Sequence, residues 1–236
     1  MMRLIFCLGA NRKYMPMARA AGWWPGARLP TTLYAAHHPL AFADQNWTAY
    51  QKATNKPAHR AAYMAALDAA RPYMASVIDW EYPDQLSEVI DWAHEAAQYC
   101  ERVMFIPKVV KAVNRLPDTI DSVPVVLGYS IPTTHGGTRC GLREFDGRRV
   151  HLLGGSPRAQ LQSARMIDDR AKLVSADGNM LHKAAGRGTY WTGHNWRNDG
   201  ARVTTTDEAM RRSLINIRQM WINAGFHLEE PPLWSE

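Results

Sequence analysis

The sequence predicts an α/β fold, a compact (β/α)8-type TIM barrel with short connections, and three observations carry that reading. Short apolar runs alternate with helix-like segments along the chain. The runs lack the polar alternation of a half-exposed strand, so they suit strands covered on both faces. A polar residue or a glycine follows most runs directly, as the mouth of a parallel barrel requires.

The runs are Leu4 to Leu8, Leu40 to Ala43, Met74 to Ile78, Val103 to Ile106, Val123 to Leu127, Val150 to Leu153 and Leu173 to Ala176. Strands alternating with helices imply a parallel sheet. Seven visible strands with an eighth concealed favour a closed barrel; a doubly wound open sheet is the alternative. Between the runs, Leu86, Val89, Ile90, Ala93 and Ala97 form an apolar stripe at helical spacing after Pro83. Ser156 and Pro157 supply an N-cap and a first helical residue, with Leu161 and Ala164 facing inward. The last helix opens near Thr205, with Glu208 three residues on. It buries Leu214, Ile217 and Trp221 and ends near Gly225. The alanine-rich segment from Ala58 to Ala70 is also helical in this reading.

With 236 residues, 46% hydrophobic and 21% charged, the chain is expected to form a single domain over residues 1–236. No apolar stretch approaches the roughly 20 residues of a membrane span, and Met1 to Leu8 is short for a signal peptide. Cytoplasmic location is the expectation. Cys7, Cys100 and Cys140 are too few and too widely spaced for a disulfide framework or a zinc knuckle. No metal and no cofactor is expected. The net charge of +6 and nine tryptophans suit a polyanionic partner with bases to stack.

The chemistry is expected where the runs end. LAFA ends in Asp44, MASVI in Asp79 and KLVSA in Asp177; FIP leads to Lys108, VVLG to Tyr129 and HLLG to Gly155. In a parallel barrel these positions share one face. Carboxylates crowded there push each other's pKa values apart, which separates an acid from a nucleophile. Each aspartate taken singly also reads as a helix or turn cap. Gly154 and Gly155, before the Ser156 cap, either face a ligand with backbone N–H groups or simply make a tight turn. Gly128 and the Gly136–Gly137 pair admit the same two readings. Downstream, Lys183, Arg187, Trp191, Trp196 and Arg197 lie in a basic, aromatic stretch whose only acid is Asp199. Such interleaving suits a nucleic-acid groove, and equally a surface excursion folding back on the barrel.

LVSADGNMLHKAAGRGTYW resembles the nucleophile region of the tRNA-guanine transglycosylase superfamily, and looks most like its phage DNA branch, the DpdA-type enzymes. LAFADQNW is similar to the strand with the family's proton-transfer aspartate, and SVIDWEYPDQ to the block that reads the purine edge. VPVVLGYSI and RVHLLGGSP resemble its two glycine-containing strands. The blocks follow the family's order over roughly residues 40 to 190. Two features depart from it. Gln45 and Asn46 follow Asp44 where serine and glycines are usual, and the cysteine-rich zinc site and tRNA-binding extension are absent.

The resemblance implies exchange of guanine in phage DNA for a free 7-deazaguanine such as preQ0. Asp177 is then the nucleophile and Asp44 the proton carrier. Asp79, Trp80, Lys108, Gly128, Tyr129, Gly154 and Gly155 form the base site, with DNA held by Lys183, Arg187, Trp191, Trp196 and Arg197. A homodimer is a further expectation from the superfamily. Two other readings remain open at the level of sequence: a nucleoside- or N-glycoside-hydrolysing barrel enzyme, and a non-catalytic DNA-binding protein.

Overall fold

A computed structural model describes residues 1–8, 13–30, 40–134, 136–167, 169–178 and 180–232. Its strands are β1 (Arg3–Leu8), β2 (Trp24–Leu29), β3 (Phe42–Gln45), β4 (Met74–Trp80), β5 (Arg102–Pro107), β6 (Thr119–Ile120), β7 (Val123–Ser130), β8 (Arg149–Leu153) and β9 (Lys172–Gly178). Eight of these run parallel. β1 pairs with both β2 and β9, and β5 pairs directly with β7, so the sheet closes on itself as a barrel. The short β6 lies antiparallel against β7 outside that ring.

The eighth barrel strand is β2, WPGARL, which hydrophobicity alone conceals. Pro25, Gly26 and Arg28 interrupt any apolar run. Closure still demands the segment, because β1 and β3 both need a partner there. Gly26 also answers a close approach: a Cβ at this position would lie 2.7 Å from both Cys7 Sγ and Ile5 Cγ2.

The helices expected from the sequence form, and others join them. α1 (Tyr14–Ala20) precedes β2, and α2 (Trp47–Lys52) and α3 (Lys56–Ala70) precede β4. Asn55 caps α3 by accepting from the Ala58 N–H at 2.9 Å. α4 (Leu86–Ala96) buries Val89, Trp92, Ala93 and Ala96 against the barrel. α5 (Pro157–Ile167) starts beneath Ser156, whose hydroxyl accepts from Ala159 N–H at 3.2 Å. After β9 come α6 (Met180–Ala185), an antiparallel ribbon of β10 (Thr189–Trp191) and β11 (Trp196–Asn198), and α7 (Thr206–Asn223). Thr205 caps α7 through the Glu208 N–H, while the Glu208 carboxylate turns to Arg211 and Arg212 rather than completing a capping box. Strict alternation of strand and helix is not kept throughout the described residues. Among the described residues, the β5–β7 connection carries a 3₁₀ turn and the short β6, and the β7–β8 connection a single 3₁₀ turn.

Two apolar layers result. Ile5, Phe42, Met74, Met104 and Val126 fill the barrel interior, and a larger layer sits between strands and helices. Trp23, Trp80, Trp92, Trp191 and Trp221 are all at most 3% exposed. Most of the tryptophan content is therefore packing, which removes it as a sign of base stacking. Among the described residues no helix is long and apolar enough to cross a membrane.

Candidate active site

Parallel strands deliver their last inward-facing side chains to one rim. Here that rim encloses a cavity of about 280 Å³ lined by Arg28, Asp44, Asp79, Lys108, Gly154 and Asp177, together with Cys7, Gln45 and Trp47. The register explains the convergence. Arg28 pairs with Asp44, Asp79 with Ile106 and Ile5 with Asp177, so the polar ends fall just above the apolar plug. The three aspartates singled out by their strand-end positions thus share one site. Among the described residues, no three His, Cys, Asp or Glu side chains form a group that could hold a metal ion.

Each carboxylate has a different environment. Asp79 meets Lys108 Nζ at 2.5 Å, and the same ammonium reaches Glu81 Oε1 at 3.0 Å. Burial opposes the Lys108 charge, but the two acids outweigh it and hold the ammonium above its ordinary pKa. Asp44 accepts from Arg28 Nε at 3.0 Å. Burial dominates there, with Asp177 and Asp79 adding like-charge repulsion against the pull of Arg28, and the Asp44 pKa is raised to about 7. Asp177 lacks a lysine or arginine partner among the described residues. Its Oδ1 accepts the Gly154 N–H at 3.0 Å and lies 3.5 Å from His151 Nε2. Burial, and then Asp177 and Asp44, push the Cys7 thiol well above its ordinary pKa, which keeps it protonated. The rim therefore combines the Asp79–Lys108 ion pair, a carboxyl whose pKa is raised to about 7, and an Asp177 side chain that accepts the Gly154 N–H beside the His151 ring.

The base-site residues expected from the sequence divide into those at the cavity and those behind it. Lys108 and Gly154 line it. Gly155 faces an adjoining cavity of about 450 Å³ that shares Lys108, Ser130, Leu153 and Gly154 with the first and adds Arg139 at its rim. Gly128 sits below the cavity floor, where a Cβ would be 2.6 Å from Leu153 Cδ1 and 3.0 Å from Ile106 Cγ1. Its role is to let those side chains close the floor, not to touch a ligand.

Trp80 and Tyr129 require correction. Strand pleating turns both to the outer face. Trp80 is fully buried there with Nε1 donating to the Tyr82 carbonyl at 2.7 Å, and Tyr129 stands edge-on to Phe145 at 5.3 Å. Neither ring reaches the mouth. The aromatic side chain that does is Trp47, three residues beyond Asp44 on the first turn of α2 and stacked on Tyr50 at 5.7 Å. Its proximity to Asp44 in sequence was a usable signal. Arg28 offered none, because it lies on the concealed strand.

The basic-aromatic stretch also divides. Lys183, Arg187 and Arg197 are exposed, although Arg197 pairs with Asp199 at 2.8 Å. Trp196 is half-buried, edge-on to Trp191 at 5.4 Å. Trp191 is corrected from a stacking surface to a packing residue. Its N–H donates to Ser213 Oγ at 2.9 Å, and its carbonyl accepts from Asn216 Nδ2 at 2.7 Å, which ties the ribbon to α7. Beside it, a groove of about 870 Å³ between α5, α7 and the ribbon carries Arg158 and Arg165, away from the strand-end carboxylates.

A family model described as "Family of unknown function (DUF6610)" matches residues 18–222, which span every barrel strand except β1. No curated protein matches the chain.

Proposed function

The chain belongs to this family of unknown function (DUF6610), and from the chemistry of its barrel mouth we propose that it exchanges guanine in DNA for a free 7-deazaguanine. The observation that carries the proposal is the contrast between two carboxyls on one cavity. The Asp44 pKa is raised to about 7, whereas Asp177 accepts the Gly154 N–H and lies 3.5 Å from His151 Nε2. A proton carrier beside a nucleophile is the division of labour that a double displacement at an anomeric carbon needs.

In this mechanism the Asp177 carboxylate attacks C1′ of a flipped-out deoxyguanosine, the C1′–N9 bond breaks, and an aspartyl–deoxyribose ester forms. Protonated Asp44 gives its proton to the departing guanine. The incoming 7-deazaguanine then loses its N9 proton to Asp44 and attacks C1′, and the ester bond breaks to regenerate the Asp177 carboxylate. Two inversions restore the original configuration. A 7-deaza base has carbon in place of N7 and cannot be protonated there to leave, so insertion runs in one direction.

Asp79, fixed by Lys108, accepts from the guanine N1–H and N2 amine, a donor pair that adenine lacks. Trp47 supplies the stacking face. The cavity of about 280 Å³ is slightly smaller than typical small-molecule pockets, roughly 300–1,000 Å³, and suits one nucleobase. Exposed Lys183, Arg187 and Arg197 supply phosphate contacts outside the mouth. The resemblance of the blocks around Asp44, Asp79 and Asp177 to the transglycosylase superfamily supports the same reading.

The test is nucleoside analysis of DNA incubated with the protein and a 7-deazaguanine. Wild type inserts the base; Asp177→Asn folds and binds DNA but inserts none. An Asp177→Asn protein that still exchanges bases would end this mechanism. Release of guanine without insertion of any base would mark a hydrolase instead.

A further inference from the structure

We propose that His151, set by Ser175, is a positioning residue that immobilises one oxygen of Asp177 and leaves the other to react; the inference rests on the nucleophile reading of Asp177. His151 lies on β8 with its ring wholly inside the barrel, 5.0 Å from the Phe42 ring. Its Nδ1 is 2.6 Å from Ser175 Oγ, and its Nε2 is 3.5 Å from Asp177 Oδ1. Nε2 is buried and has no hydrogen-bond partner within normal length.

The donor and acceptor inventory selects one tautomer. A hydroxyl can donate or accept, whereas a carboxylate can only accept. If Ser175 donates to Nδ1, the imidazole proton sits on Nε2 and faces Oδ1. The opposite tautomer would set a nitrogen lone pair against the carboxylate in a dry interior, where that arrangement is costly. Of the two single-proton tautomers, the one with its proton on Nε2 satisfies both contacts. Shortening 3.5 Å to a full hydrogen bond takes a few tenths of an ångström, and such contacts tighten in the reacting complex.

The Gly154 N–H reaches the same oxygen at 3.0 Å. Gln160, buried on α5, locks that turn by donating from Nε2 to the Gly154 carbonyl at 2.8 Å and to the Asp177 carbonyl. Two N–H donors therefore converge on Oδ1, and the carboxyl plane cannot rotate without losing both. Among the described residues, the remaining hydrogen-bond contact on this carboxylate is the weak thiol donor of Cys7, so Oδ2 stays the freer oxygen. Displacement at C1′ needs one oxygen in line with the leaving base, and fixing the plane supplies that orientation before substrate arrives.

The experiment compares wild type, His151→Leu, His151→Gln and Ser175→Ala. Imidazole ¹⁵N NMR at pH 7 reads the tautomer, and single-turnover exchange of labelled guanine into a guanine-containing oligonucleotide reads the reaction. The expected results are an Nε2-protonated ring in wild type and a mixed tautomer in Ser175→Ala. His151→Leu should lower the exchange rate by up to about 100-fold, the loss that misplacing a reacting group can cause, with KM for the base unchanged. His151→Gln, whose amide nitrogen can stand near Nε2, should recover most of that loss. An Nδ1-protonated ring overturns the inference, as does a His151→Leu protein with the wild-type rate. A folded His151→Gln no faster than His151→Leu does the same. If wild type exchanges no base at all, the functional reading falls and the tautomer alone decides this inference. If His151→Leu does not fold, the tautomer and the His151→Gln rate decide it.

Discussion

Asp44 makes a carboxyl-specific prediction about stability and pH. Its pKa is raised from 3.8 to about 7 in the folded state, so between those values the folded chain holds a proton that the unfolded chain releases. Stability from this group is full below the unfolded pKa and is lost as pH rises through 7, at roughly 1.4 kcal/mol per pH unit. The whole window amounts to roughly 4 kcal/mol. Asp44→Asn removes the titration while keeping the shape. Arg28 is half-exposed, with 50% of its side chain accessible, so water can solvate the cation left behind. Urea denaturation of both proteins at pH 5 and pH 7 measures the effect. The stability difference should move in favour of Asp44→Asn by about 2.5 kcal/mol over that interval. A difference that stays constant within about 0.5 kcal/mol, or moves the other way, would refute the assignment of burial as the dominant cause.

Exchange catalysed by wild type should decline above pH 7 as Asp44 loses the proton that the leaving guanine needs; a rate rising through pH 8 in a pH profile would contradict that role. Lys108→Met leaves Asp79 buried without its cation and should cost about 3–5 kcal/mol, whereas the Asp79→Asn, Lys108→Met double variant should recover much of it, as thermal or urea unfolding can measure. Gly128→Ala should cost about 1–3 kcal/mol through overpacking, relieved by shortening Leu153 to Val, since Leu153 Cδ1 is the atom a Cβ would meet first. Replacing Lys183, Arg187 and Arg197 together should weaken DNA binding and flatten its salt dependence, while Trp191→Ala should instead lower thermal stability; an unchanged salt slope in the triple variant would remove those cations from the DNA path.

The sequence by itself determined the parallel barrel and the level at which its polar residues gather. Runs such as MASVI-Asp79 and KLVSA-Asp177 state both the buried strand and its polar end, because burial on two faces and exposure at the rim are local requirements. It also determined the caps at Ser156 and Thr205, which satisfy backbone groups within a few residues. Tertiary structure decided the rest. β2 exists as a strand because barrel closure needs a partner between β1 and β3, a requirement that its own residues do not express. Pleating turned Trp80 and Tyr129 outward and left Trp47 as the aromatic of the mouth, because adjacent strand residues face opposite sides and strand-end position does not say which. The meeting of His151, Gly154, Gln160 and Asp177 joins β8, its turn, α5 and β9. Contacts between separate strands and a helix depend on register and packing, and neither is written at any single position of the chain.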